Sequence, residues 1–232
     1  MFSWSAGVQV AVVAAVLVGL ALAGRGIRAS ADGAYRRHVA GWARERGWGF
    51  RVGADDLPWR YRLPHGANQG VRFRVDGVTG DRRFTLAHVS HKWGEDVVGP
   101  AQSPVAKRVD LTVVVLHLRN DYPAVEVEER RGGAGGYGVV GHPRFDELFA
   151  VYTDVPGGPA AAVPAAVAEA QVRGEVPEWA LRGRELVCRE TGGAPARIRN
   201  AKVAQAVGSL PGHTLEEQVA RAVRIADLLG VR

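Results

Sequence analysis

The side chains best suited to chemistry lie close together in one short stretch. His88 and His91 form an H-x-x-H pair, with Ser90 and Lys92 flanking His91 and Asp96 following. Such a set could supply a base, a nucleophile or metal ligands to a hydrolase. The spacing works against that use. On a strand an odd separation of three turns the two rings to opposite faces, so sharing a metal would require an intervening bulge. His88, His91 and Asp96 are therefore weak catalytic candidates, and histidines at a strand end, exposed or in the core, are the simpler expectation. His117, inside the apolar run Leu111–Leu118, reads as a hydrogen-bonded core histidine. Cys188 is the single cysteine and sits in an apolar strand, where burial raises its pKa and makes it inert.

Other motifs carry less. Gly133-Ala134-Gly135-Gly136-Tyr137-Gly138 matches the G-x-G-x-x-G spacing. A dinucleotide site needs those glycines between a strand and a helix, with an acidic residue about 20 positions later. Val139 to Pro143 is not expected to begin a helix, and Asp146 and Glu147 come too early. Asp55-Asp56 and Asp146-Glu147 are adjacent carboxylates, whose side chains point apart and suit turns and edges better than acid and base work. The sequence has no G-x-S-x-G elbow, phosphate-loop lysine motif, C-x-x-C, H-E-x-x-H or EF-hand pattern. Neither a cofactor nor a metal is expected.

Charge is distributed unevenly along the 232 residues. The net charge is +6, and of 30 basic residues only Lys92, Lys107 and Lys202 are lysine. The arginines alternate with acidic residues and include no nucleic-acid reader motif, so nucleic acid is not an expected partner. Residues 1–24 carry no charge at all, and from Ala6 to Gly24 the sole polar side chain is Gln9. As a helix, those 19 residues would extend about 28 Å, close to the roughly 30 Å of a bilayer core. Phe2 and Trp4 precede the run as interface anchors, and Arg25, Arg28, Arg36 and Arg37 follow it. The positive-inside rule predicts a single-pass membrane protein with its N-terminus out and its C-terminal domain cytoplasmic. The four arginines are candidate contacts for anionic lipid headgroups. The rival expectation is export, because Ala21-Leu22-Ala23 resembles an A-x-A cleavage site.

The elements that must position these residues follow from periodicity. Tyr35, Val39 and Trp42 share one helical face over about 32–46, ended by Gly47. Alternation then predicts strands at Trp48–Val52, Trp59–Leu63 and a hairpin over 70–91. Leu111–Leu118 reads as a central strand, followed by a turn at Asp121-Tyr122-Pro123 and a neighbour around Val125–Glu128. Phe145–Thr153 is predicted as a strand and Ala160–Val172 as one alanine-rich helix with Pro164 near its first turn. Trp179–Leu181 and Glu185–Cys188 read as a short hairpin around Arg182-Gly183-Arg184. Thr214 and Glu217 form a capping box for a last helix with a stripe of Leu215, Val219, Ala222, Val223, Ala226 and Leu229, ended by Gly230. The expected fold is α+β: an anchor over 1–24, a basic linker over 25–31, and over 32–232 a mainly antiparallel sheet with two to three peripheral helices. The glycine-rich loop 131–138 is a candidate boundary between two lobes.

The order of these signals, with Ala43-Arg44-Glu45-Arg46-Gly47-Trp48-Gly49-Phe50 after the anchor, resembles a family of uncharacterised actinobacterial membrane-anchored proteins. The resemblance implies an anchored α+β domain and supplies no catalytic residue. Together these features predict a non-enzymatic cytoplasmic domain that binds a protein partner or the inner membrane surface. An enzyme using His88, His91 and Asp96, and an exported envelope-associated domain, are the alternatives.

Overall fold

The computed structural model describes residues 33–53, 70–93, 107–130, 138–191 and 214–232, with the side chains of 90–93, 107–110 and 191 left aside. The expected anchor, the basic linker, Asp55, Asp56, the Trp59–Leu63 strand, Asp96 and nearly all of the glycine loop lie outside the described residues. Among the described residues no helix is long and apolar enough to cross a membrane.

The first helix, α1, spans 33–45 and buries Val39 and Ala43, with Tyr35 and Trp42 half-buried on the same face. It stops as its glycine predicts. Gly47 takes φ 69°, while the Trp48 and Gly47 amides donate to the carbonyls of Ala43 and Arg44, so the last turn is closed without strain. Strand β1 (Gly49–Val52) follows, then β2 (Gly70–Thr79) and β3 (Arg82–Trp93), all antiparallel neighbours. Trp48 lies edge-on to both Trp42 and Phe84, at ring-centroid distances of 4.8 and 4.9 Å. Gly77 makes room for this seam, since a Cβ there would come within 2.7 Å of Phe84 and 2.8 Å of Trp48.

Strand β4 (Lys107–Glu129) pairs with β3 over its first half and with β5 (Phe149–Thr153) over its second. Along its other edge runs β6 (Glu178–Thr191). Both expected reversals in this region are corrected by the structure. Asp121-Tyr122-Pro123 is no turn and Arg182-Gly183-Arg184 is no hairpin; they face each other as irregularities in one two-stranded ribbon, with register shifts on both sides of the Tyr122–Gly183 pair. Pro123 has no amide to give a ladder and Gly183 takes φ 58°, so each fits a bulge as well as it would fit a turn.

Two further expectations change for the same kind of local reason. Residues 145–148 belong to a helix, α2 (Pro143–Leu148), because Pro143 is pre-set for the first helical turn and the His142 side chain caps the Phe145 amide at 3.2 Å. A helix therefore does begin soon after the glycine loop. The alanine-rich segment is two helices, α3 (Pro159–Ala162) and α4 (Ala165–Val172): Pro164 holds Val163 extended at φ −117°, ψ 102°. The last helix, α5 (Leu215–Leu229), matches its expectation, including the reciprocal Thr214–Glu217 box and Gly230 at φ 69°.

The main core lies between the sheet and the helices, built on Phe73, Leu86, Leu116, Leu186, Trp179 and Ile225. A smaller cluster of Ala87, Val89, Leu111, Val113, Val115 and Val187 occupies the opposite sheet face. Replacing Thr214 with Ala removes the side-chain acceptor for the Glu217 amide and is expected to cost about 1 kcal/mol, read as a lowered urea midpoint with an unchanged slope.

Candidate functional site

His88 falls on the helix-covered face and is 3% exposed. Its ring stacks on Phe73 (centroids 5.3 Å apart, planes 7° apart) and meets the edge of Tyr35 at 6.0 Å. Its Nδ1 stands 3.5 Å from the Thr112 hydroxyl. The Tyr35 hydroxyl is buried with no hydrogen-bond partner among the described residues, and burial pushes its pKa up to about 12. His91 pairs with Val109 in the β3–β4 register, which runs unbroken from Arg83 to Trp93, so the bulge that a shared metal would need is not there. The described residues place His88 among aromatic core side chains; the His91 side chain and Asp96 lie outside them. No group of three His, Cys, Asp or Glu converges as a metal site among the described residues.

Asp146 accepts hydrogen bonds from the Val140 and Gly141 amides, and Glu147 pairs with Arg144, so both carboxylates fix local turns. Cys188 is buried beneath α5's side of the sheet, and burial drives its thiol pKa upward. Of the expected headgroup contacts, Arg36 is half-buried and Arg37 exposed on the first turns of α1. Arg25, Arg28, Phe2 and Trp4 lie outside the described residues.

A polar chain that the sequence did not reveal crosses the opposite face. The Thr85 hydroxyl donates to Asp76 Oδ1 at 2.8 Å and lies 3.0 Å from His117 Nε2. Thr85 has one proton to give, and an ionised Asp76 can only accept it, so His117 donates from Nε2. Burial alone would raise the Asp76 carboxyl. Hydrogen bonds from Arg74 and Thr85 and the charges of Arg74 and Arg51 outweigh it and hold the pKa below the ordinary value. Burial lowers the His117 pKa, opposed by the nearby Glu185 and Asp76 charges and reinforced by Arg83 and Arg74. The only sequence signal for this chain was the even spacing that puts Arg74 with Asp76, and Thr85 with Ala87, on one face.

A second polar cluster closes the β4–β6 ribbon. Arg189, with a side chain 4% exposed, reaches Glu126 at 3.0 Å, Glu128 at 2.8 Å and Glu178 at 4.0 Å. Arg189 and Glu178 are 11 residues apart on one strand, about 36 Å if it were straight, of which two side chains could cover about a third. The ribbon must therefore fold back over the face opposite the helices, bending at the Tyr122–Gly183 irregularity. Burial raises the Glu126 pKa, opposed by Arg189 and reinforced by Glu128.

These clusters make two predictions. Arg189→Met leaves the facing carboxylates without their cation. The expected loss is about 3 kcal/mol in urea denaturation, at the lower end for a broken buried pair because Glu126 and Glu128 are each more than a third exposed. For His117, the folded pKa lies below the unfolded value near 6.5, so the unfolded chain takes up a proton first as pH falls. Its contribution is complete above that value and is lost as pH falls below it. His117→Gln keeps a donor toward Thr85 without the titration, and urea midpoints for this variant should fall less than wild type between about pH 7 and pH 5.

With this geometry in place, comparison with known proteins gives one informative likeness. No protein-family model matches the chain, and no curated protein matches its sequence. Among solved structures, the crystal structure of the mycobacterial trehalose monomycolate transport factor A, TtfA, is similar at a TM-score of 0.50 and 12% sequence identity, over 84% of this chain and 93% of that one. At that identity the likeness is one of fold.

Proposed function

We propose that this chain is a membrane-anchored, non-enzymatic domain that takes part in handling an envelope lipid as a member of a protein assembly at the inner leaflet. The observation that carries the reading is the fold likeness to a lipid transport factor, which extends over most of both chains rather than over one shared motif. The uncharged stretch 1–24 and the arginines that follow it supply the anchor and its orientation. The segment Ala43–Phe50, which resembles actinobacterial membrane-anchored proteins, agrees with this reading. It forms the end of α1, the glycine stop and the start of β1, with its Trp48 packed against Trp42.

Three of the described histidines have structural employment that suits a non-enzymatic domain. His88 packs in the aromatic core, His117 ends a hydrogen-bond chain and His142 caps a helix.

The reading is tested in cells. The full chain should stay with membranes after alkaline extraction, a reporter fused after Arg232 should be active on the cytoplasmic side, and depletion should alter the balance of envelope lipids. An intact mass short of residues 1–23 would favour the exported form. Unchanged lipids in depleted cells would overturn the proposed role whatever the topology.

A further inference from the structure

The last helix rests on a face that is not wholly apolar. Gln218, Ala222 and Ile225 follow one another at spacings of four and three on the buried side of α5. Gln218 is 3% exposed, and neither end of its amide has a hydrogen-bond partner among the described residues. Exchanging its oxygen and nitrogen changes nothing, since both ends are alike in this. Arg221, three positions on, is held at both tips of its guanidinium, by Glu190 at 3.1 Å and by the Gly174 carbonyl at 3.0 Å. Its Nε is buried without a partner among the described residues.

The contact with Gly174 leads to the end of α4. The Gly174 amide donates to the Gln171 backbone carbonyl at 3.0 Å, and the Gln171 side chain donates through Nε2 to the Pro177 carbonyl at 3.0 Å. That donation fixes which end of the Gln171 amide is which, because an oxygen turned toward a carbonyl would be repelled. Gln171 Oε1 is therefore a buried acceptor with no partner among the described residues. Two residues beyond Pro177 is Trp179, fully buried, whose indole Nε1 is a donor in the same condition. The junction of α4, the start of β6 and α5 thus gathers donors at Gln218 Nε2, Trp179 Nε1 and Arg221 Nε with acceptors at Oε1 of Gln171 and Gln218.

We infer that this junction is a water-binding site, in which ordered water molecules link α5 to α4 and to the start of β6. A buried polar atom left unpaired bears the full desolvation of its group, and protein interiors pair nearly all such atoms. The chemistry on hand restricts what can pair these. The guest both donates and accepts, because atoms of both kinds are present. It is neutral, because the Arg221 charge already faces Glu190, with side chains 16% and 19% exposed. It is small, because every one of these atoms is enclosed. Water meets all three conditions, and a buried water takes about three such bonds. The site is independent of the proposed lipid role and concerns how the last helix is held.

The sign of one near-isosteric substitution separates a hydrated junction from a dry one. In a dry junction Gln218→Met relieves an unpaired amide and raises the urea midpoint; in a hydrated one it takes partners from the water and lowers the midpoint, with the slope unchanged. The full chain in detergent is expected to show the lower midpoint. A crystal structure of the full chain is expected to show ordered water about 2.7–3.2 Å from Gln218 and from at least one of Gln171, Trp179 and Arg221. A midpoint raised or unchanged by Gln218→Met overturns the site. So does a crystal structure in which these atoms pair directly with one another or enclose a larger molecule. Should Gln218→Met not fold, the crystal structure of the parent chain is the deciding measurement.

Discussion

A strand of 23 residues cannot lie flat in a domain of this size. Straight, β4 would reach about 75 Å, whereas a globular body of about 140 residues, the number described, is only about 40 Å across. The rest of the sheet depends on how that excess length is taken up. It is absorbed by folding the β4–β6 ribbon back on itself, which lets one strand serve two neighbours: β3 along its first half and β5 along its second. The bend brings Arg189 to Glu126, Glu128 and Glu178. A buried ion cluster adds little net stability over an apolar one of similar shape, because desolvation offsets most of the attraction. It is selective about geometry, however, since any other register would leave the arginine or its carboxylates unpaired in a poorly solvated place.

The two faces of the sheet are consequently unlike. One is covered by helices and packed with aromatic rings, where Trp42, Trp48, Phe84 and the side-chain-free Gly77 set the distance between α1 and the sheet. His88 belongs to this layer, and the ring stacks as another aromatic would. The other face combines the small valine-rich cluster with the Asp76–Thr85–His117 chain and the Arg189 cluster. Polar groups there pair with one another across strands, and so fix the sheet's curvature and register.

Much of the local architecture was legible in the sequence. α1 with its glycine stop, the 70–91 hairpin, the central Leu111–Leu118 strand and the capped last helix all follow from signals within a few residues of each other. The misreadings share one cause. Gly183, Pro123 and Asp121 correctly marked places where a regular ladder fails, but a turn and a bulge draw on the same residue types, because both need a missing amide, a positive φ or a side-chain acceptor. Pro143 and Pro164 acted similarly: one opened a helix inside an apolar segment that alternation had assigned to a strand, and the other divided a helix that composition had joined.

The sequence by itself determined most of the helix and strand segments, where several of them stop, and that the fold is α+β with an antiparallel sheet. It also determined that the first 24 residues are uncharged and that the basic excess follows them. Tertiary structure alone decided that two apparent hairpins are one folded ribbon, that Arg189 meets three glutamates up to 63 positions away, and that Thr85 links Asp76 to His117. Periodicity and capping are short-range and are written in neighbouring residues. Which bulge bends the chain, and which distant charges the bend unites, depends on how the whole sheet closes over its own length.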